Sequence, residues 1–404
     1  MLQRALFGLA LAWLAACSGR EAPVPAPPPA EPAPRTTPTP QDFVTDCSGA
    51  EEALATNAAD YAWQIFRALN EPLSGPGTRR WETEFRQTSS IFLPDGAEPS
   101  PWGTESGTED WPDPAGCTAT SDVWHNLDTA IQVDGLALLD LWNQDVRYQL
   151  LMNQPMFEEV VARQFYNTQG QELAAQQGVA ATFPDHSFEL KTSWIWIGED
   201  ASRCGPLQGN YYIAKAYYTA YDADGQPIGE RRGYAALTGM HIINRCLPNW
   251  VWITFENVQN PKYTQITLEL PLSSQVRQAN NVHRGELAAV GSVFSHYQLD
   301  GVQTQFTEPA SGGGTPTPTL LANSNIESAF QPQSSCITCH SLASIKPDGE
   351  YYNLVDTSGG NVSYYVGDPP DIEAQGFTSL DFAWSLKRAY RARNPQSASL
   401  EVVP

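Results

Sequence analysis

Apolar positions first recur at helical spacing between Ser48 and Asn70, at Leu54, Ala58, Tyr61, Ile65 and Leu69, behind a Ser followed by Glu51 and Glu52. This predicts a capped helix, ended by Pro72 and Gly75-Pro76-Gly77. Residues 84–118 scatter Gly, Pro, Ser and Thr without a period and read as loop. A second helix is predicted over Asn153–Tyr166, with Pro155 in its first turn and Met156, Val160, Val161 and Phe165 on one face. Beyond it the period shortens to two. Phe188–Gly198 sets out Leu190, Thr192, Trp194 and Trp196 in alternation. Tyr211–Tyr221 is aromatic and β-branched, and Asp222-Ala223-Asp224-Gly225 follows as a hairpin turn. Tyr234–Asn244 and Asn249–Asn257 continue the pattern. Four strands with short links predict an antiparallel sheet. On its last strand Trp250, Trp252, Thr254 and Glu256 share one face, and Val251, Ile253 and Phe255 the other.

A Gly- and Pro-rich joint, Ser311–Pro318, separates this body from the C-terminal region. Asn323–Phe330 reads as a short helix. Thr378 or Ser379 can cap a final one through Arg391, with Leu380, Ala383, Trp384, Leu386 and Tyr390 as its apolar positions. The fold class expected is therefore α+β: an antiparallel β-rich body with flanking helices over 42–310, then a small all-α domain over 319–404.

Composition narrows the classes. Of 404 residues, 41% are hydrophobic and twelve are Trp, enough for a real core, and the net charge of −22 argues against nucleic acid or an anionic membrane surface as partner. An acidic face suits a basic redox partner, and it serves solubility equally well. At the N-terminus Arg4 precedes an apolar run, Ala5–Ala16, too short to span a bilayer, which ends Leu14-Ala15-Ala16-Cys17. This resembles the signal and lipobox of bacterial lipoproteins. The resemblance implies a signal peptide over 1–16, lipidation of Cys17 and a membrane held through the lipid anchor. Ser18 after Cys17 resembles outer-membrane sorting in Gram-negative bacteria, with the chain facing the periplasm. Residues 17–41, dominated by Pro, Ala and Thr, form an extended tether of about 3.1 Å per residue.

The chemistry is concentrated in Cys336-Ile337-Thr338-Cys339-His340. C-x-x-C-H is the attachment pattern of a c-type haem: two thiols link to the vinyl groups of one porphyrin, and the histidine is the proximal iron ligand. A redox C-x-x-C leaves His340 without a role, a zinc site wants four ligands where no Cys or His follows His340, and a Cys336–Cys339 disulfide closes a strained loop. The cofactor expected is one covalent haem c. With Cys17, Cys336 and Cys339 assigned, Cys47, Cys117, Cys204 and Cys246 remain, an even set that suggests two disulfides in an oxidising compartment. Of three pairings, Cys47–Cys117 and Cys204–Cys246 are preferred, because each joins segments flanking neighbouring elements. The Trp-rich face of the sheet can pack against a porphyrin edge, but a core against the flanking helices is the plainer reading.

A helix before the motif and one at the chain's end resemble the monohaem cytochrome c fold, over about the last fifth of the sequence. One departure matters. That family takes a Met after the motif as second axial ligand, and here Met1, Met152, Met156 and Met240 all precede it. The sixth position thus goes to an upstream residue, to Lys346 or Lys387, or stays open. Among His125, His186, His241, His283 and His296, His241 is the candidate distal ligand, on an aromatic-rich strand; Met240 faces the other way. Turned inward, Lys191 and Glu256 would join His241 in a polar cluster able to handle protons; turned outward, they are solvated side chains, and the outward reading is preferred. Trp63–Asn70, Arg147–Asn153, Gly239–Ile242 and Trp250–Glu256 also resemble exported bacterial proteins with one late C-x-x-C-H, which implies architecture and haem attachment only. The functional expectation is electron transfer. The alternatives are a haem enzyme or a gas or peroxide sensor with an open distal site, or a binding module with structural haem. No phosphate loop, nucleophile elbow or His-Glu-x-x-His run appears.

Overall fold

Helix α1 (Ala50–Leu69) begins at Gly49 in a left-handed conformation, with no side-chain cap, so Ser48 does not serve as the expected N-cap. Asn57 interrupts it, and its Oδ1 accepts the Asp60 amide at 3.1 Å, recapping the second segment. From there Tyr61, Ala62, Trp63, Ile65, Phe66, Ala68 and Leu69 are all buried. This is a computed structural model, and it describes residues 47–73, 77–104, 111–130, 138–222, 224, 226–260, 270–310, 312–327, 334–354 and 365–392. The signal segment, the lipidated Cys17 and the tether lie outside the described residues. Those from 47 onward belong to one compact unit.

The other elements of the body are helix α2 (Arg80–Thr83), strand β1 (Phe85–Gln87), β2 (Ser121–Asn126), β3 (Arg147–Asn153), helices α3 (Gln154–Ala162) and α4 (Thr168–Gln176), strand β4 (Phe188–Gly198), helix α5 (Ala201–Leu207), strands β5 (Ile213–Tyr221), β6 (Pro227–Asn244) and β7 (Val251–Asn257), helix α6 (Ser274–Ala289) and strand β8 (Tyr297–Gln303). Eight strands form one curled sheet in the order β1-β3-β4-β6-β5-β2, with β7 pairing β6 and β8. The curl centres on β6. Its first half pairs with β5, its second half with β7, and β4 runs along its other edge. The register slips between Ser193 and Trp194, skipping Thr238, whose hydroxyl meets that of Ser193 at 2.9 Å. The four expected strands are β4, β5, the second half of β6 and β7, and they pair with one another antiparallel as anticipated. The pairing of β2 with β5 is parallel.

The sheet buries both faces, and the split of β7 is the one its alternation implies. Val251, Ile253 and Phe255 join the core beneath α1 and α6, where Phe66 stacks on Phe255 at 4.0 Å and Trp63 Nε1 donates to Asn280 Oδ1 at 2.9 Å. Trp250 and Trp252 join a second core with Met152, Met156 and Val160 of the β3–α3 region. Ile337, Leu342, Ile345, Leu380 and Leu386, from the C-terminal region, complete that same core.

Two expectations are corrected. The disulfides are Cys47–Cys246 and Cys117–Cys204, 199 and 87 residues apart, not Cys47–Cys117 and Cys204–Cys246. The start of α1 lies against the β6–β7 turn, where the Cys47 amide donates to His186 Nδ1, and residues 115–120 lie along α5 and the start of β5. Nearness in sequence was the wrong guide. Nor is the described C-terminal region all-α. It holds helix α7 (Cys336–Ser341), the two-residue pair β11 (Ser344–Ile345) and β12 (Thr378–Ser379), after the small hairpin β9 (Thr307–Glu308) and β10 (Thr317–Pro318), and ends in a 3₁₀ turn at Trp384–Arg388. The final helix does not form because Asp381 and Phe382 take φ of 48° and 68°, left-handed values that end a right-handed helix. Asn323–Glu327 is a turn rather than the start of a helix.

Candidate functional site

The site stands on the face of the sheet away from α1. Lys191 on β4 pairs in register with His241 on β6, and His241 with Thr254 on β7. Since side chains alternate along a strand, these three share a face with Trp252 and Glu256. Helix α7 packs over this row. Its first turn is pinned by Gln303 of β8, whose Oε1 accepts the Ile337 amide at 3.0 Å while Nε2 donates to Ser335 Oγ at 2.9 Å. Thr338 Oγ1 donates to the Gly367 carbonyl at 2.8 Å. Cys336 and Cys339 lie one turn apart, and both are thiols outside any disulfide. Burial, with Glu327 and Cys339 nearby, pushes the Cys336 thiol well up.

His340 follows on the same turn, its ring 4.6 Å from that of Trp252. Its Nδ1 lies 2.8 Å from the Phe382 carbonyl oxygen. A carbonyl only accepts, so this contact assigns the hydrogen to Nδ1 and leaves the lone pair on Nε2. Burial, reinforced by Lys191 and His241, lowers the His340 pKa to about 4 against the opposing pull of the Phe382 contact, which keeps the ring neutral. The turn that presents Phe382 is held by Asp381. Its Oδ2 accepts the Phe183 amide at 2.7 Å and pairs with Arg245 Nε at 3.3 Å, and its Oδ1 accepts Trp250 Nε1 at 3.2 Å. Trp384 Nε1 donates to the Cys339 carbonyl at 2.8 Å from the same segment.

Beside α7 runs a buried polar chain. His241 Nε2 lies 2.9 Å from Glu327 Oε1, and Glu327 Oε2 accepts the Asn323 amide at 2.7 Å. Burial pushes the Glu327 carboxyl up, but the paired His241, with Lys191 nearby, outweighs it and holds the group below the ordinary carboxylate range. Asn323 Nδ2 donates to Thr254 Oγ1 at 2.9 Å, and Glu256 Oε2 accepts the amide of Ser324 at 3.1 Å. The preferred outward reading of Lys191 and Glu256 is thus corrected: both are half-buried on the His241 face, where Lys191 acts on Glu327 and Glu256 holds the Ser324 amide.

The other candidate ligands lie elsewhere. Met240 is in the core under α1. His125 sits between Glu82 Oε1 and Gln149 Oε1, His283 bonds Asp60, and His296 closes the short turn before β8. Lys346 pairs with Glu350 at 2.7 Å, and Lys387 Nζ lies over Trp384. Ligation by His241 through Nε2 requires its bond to Glu327 to open. Among the described residues no group of three or more His, Cys, Asp or Glu is placed to hold a metal ion. The residues present fit a c-type haem on chemistry: two thiols on one turn, neither spent in a disulfide, and a neutral imidazole with Nδ1 satisfied and Nε2 left for iron. Gln303, Glu327, Asp381 and Trp384 had no motif to announce them. Comparison with protein-family models, curated proteins and solved structures gives no match.

Proposed function

We propose that this chain is an exported, lipid-anchored c-type cytochrome of the periplasmic face of a Gram-negative outer membrane, with one haem c held covalently by Cys336 and Cys339 and His340 as proximal ligand. The observation that carries this reading is the His340 Nδ1 contact with the Phe382 carbonyl, directly after two cysteines on one helical turn that take no part in the disulfides. When bound, the haem supplies reversible one-electron chemistry. The chain's own residues do the rest. The Phe382 carbonyl fixes the His340 tautomer and ring plane, Asp381 holds the turn that carries it, and Trp252 walls the ring from water. Transfer of electrons to and from a partner, a basic one suiting the net charge of −22, is the activity proposed.

A second reading, a haem enzyme or a gas or peroxide sensor, is favoured by one observation: His241, the histidine facing this site from the sheet, already gives Nε2 to Glu327. Spectra of the mature chain produced with haem-attachment machinery separate the two. Electron transfer predicts haem that survives denaturation, sharp reduced bands unchanged by CO, and loss of covalent haem in the Cys336→Ala/Cys339→Ala variant. A high-spin spectrum shifted by CO supports the enzyme or sensor, and His241→Ala then tests the distal ligand. Absence of covalent haem overturns both.

A further inference from the structure

We propose that the open cleft of about 770 Å³ between β5, the 88–94 and 126–130 segments and the 388–390 segment is a binding site for a neutral, hydroxyl-rich ligand, a carbohydrate. This goes beyond the haem reading and does not depend on it. The volume lies in the range of small-ligand sites, which combine aromatic faces with a few fixed polar groups.

The aromatic faces open to the cleft are Tyr221 and Tyr390; Tyr218 also lines it, but its ring is covered by Arg147 and met edge-on by Trp196. Tyr221 and Tyr390 are 58% and 50% exposed, large rings that the fold leaves in water beside a concave surface. An amphipathic ring of this kind offers a flat apolar face to the C–H side of a sugar and a hydroxyl at its edge.

The polar groups decide the ligand's charge. Arg147 lies against the Tyr218 ring, 3.3 Å from its centroid, and donates to the Leu127 carbonyl at 3.1 Å. Asp145 and Asp128 stand close enough to act on its charge. Arg388 donates to Thr129 Oγ1 at 3.3 Å and is drawn from within by Glu189. Asp128 in turn accepts the Thr219 amide through Oδ1. Two guanidiniums, Arg147 and Arg388, and two carboxylates, Asp128 and Asp145, therefore line one cleft, and their formal charges balance. The wall offers planar donors and acceptors without a net field. An anion would meet Asp128 and Asp145, and a cation would meet Arg147 and Arg388. Hydroxyls, which donate and accept at once, satisfy both kinds of group.

The test is calorimetric titration of the full mature chain with neutral oligosaccharides of glucose, galactose and N-acetylglucosamine, and with oligogalacturonate and inorganic phosphate as anionic probes. At least one neutral oligosaccharide is expected to bind, with affinity lowered about tenfold (~1.4 kcal/mol) in Tyr221→Ala and in Tyr390→Ala. Both positions are exposed, so the melting temperature of these variants stays that of the parent, and Val282→Ala on the far helix α6 leaves binding unchanged. Binding of the anionic probes alone, neutral binding that neither Tyr variant weakens, or no binding across the neutral panel each overturns the proposal.

Discussion

Asp381 carries a conformational cost so that one carbonyl can face one histidine. Left-handed backbone at two successive non-glycine residues costs about 1–3 kcal/mol each, and it persists only where surrounding contacts over-determine it. Here the Asp381 carboxylate supplies those contacts through Phe183, Trp250 and Arg245. Asp381→Ala removes all three and is expected to lower stability by about 2–4 kcal/mol. With the proposed haem bound, it would also shift the reduction potential, whereas Asp381→Asn, which keeps an acceptor, would do less of each. A potential unchanged in Asp381→Ala despite a lower melting temperature would make the residue structural only. Glu189 makes a prediction with pH. Buried on β4 and bonded by Ser385 Oγ at 2.6 Å, its carboxyl is pushed up to about 7 by burial, against Ser385, Arg388 and Lys191. The folded state therefore holds this proton more tightly than the unfolded chain. The stability it contributes is fully present below the unfolded pKa of about 4.5 and is lost as pH rises to about 7, a change of about 3 kcal/mol at ~1.4 kcal/mol per pH unit. In Glu189→Gln that component of the slope disappears and stability above neutrality increases; an unaltered pH profile by chemical denaturation would refute the assignment.

Among elements, the two disulfides do more than staple neighbours. Cys47–Cys246 ties the start of α1 to the β6–β7 turn across 199 residues, and Cys117–Cys204 ties an irregular segment to α5. Non-reducing peptide mapping should recover these two pairs, and replacing Cys47 and Cys246 together by Ser should cost about 2–5 kcal/mol; recovery of Cys47–Cys117 would show the fold is joined differently. Sequence pattern read α1, β4, β5 and β7 well because their burial is one-sided or their residues strongly β-forming. It missed β3, whose Tyr148-Gln149-Leu150-Leu151-Met152 is buried throughout and has no alternation to see. Strand β8 does alternate, but the buried positions include Gly301 and Gln303, which no hydropathy reading selects. In the same way α6 buries Asn280 and His283 on its inner face, blurring its stripe despite the Ser273 cap. The last helix failed for the opposite reason. Leu380, Ala383, Trp384 and Leu386 are apolar at helical spacing because the segment is enclosed, not because it is a helix. At the site the C-x-x-C-H motif was legible because its three residues lie together in the sequence at a fixed spacing. The residues that hold it, Gln303, Asp381 and Phe382, act from distant points in the chain, and a spacing rule cannot reach them.

Across the whole molecule, the decisive feature is that the described residues of the C-x-x-C-H region share their core with the body. Ile337, Leu342, Ala343, Ile345, Leu380 and Leu386 are buried against Met152, Met156, Val160, Trp250 and Trp252 of the body. The expected cytochrome c-like module would instead enclose its apolar residues among its own helices, and among the described residues α7 with a 3₁₀ turn is too little for that. Burial of one Leu or Ile side chain contributes about 1.5–3 kcal/mol, so losing the partners of these five Leu and Ile residues removes a gross contribution comparable with a typical domain's net stability of about 5–15 kcal/mol. A chain cut after residue 310 is accordingly expected to expose Trp250 and Trp252, bind a hydrophobic dye and lose its cooperative melt, and the isolated 319–404 segment to remain unfolded. A sharp transition in either fragment would show that it folds independently. The shared core also bears on how the protein works. The segment that fixes His340 through Phe382 continues into Ser385, which bonds the buried Glu189, and into Arg388 and Tyr390, which line the proposed ligand cleft. His340, the buried Glu189 carboxyl and the proposed cleft are thus joined along nine residues of one chain, and a change at any of the three acts on a segment that the others share.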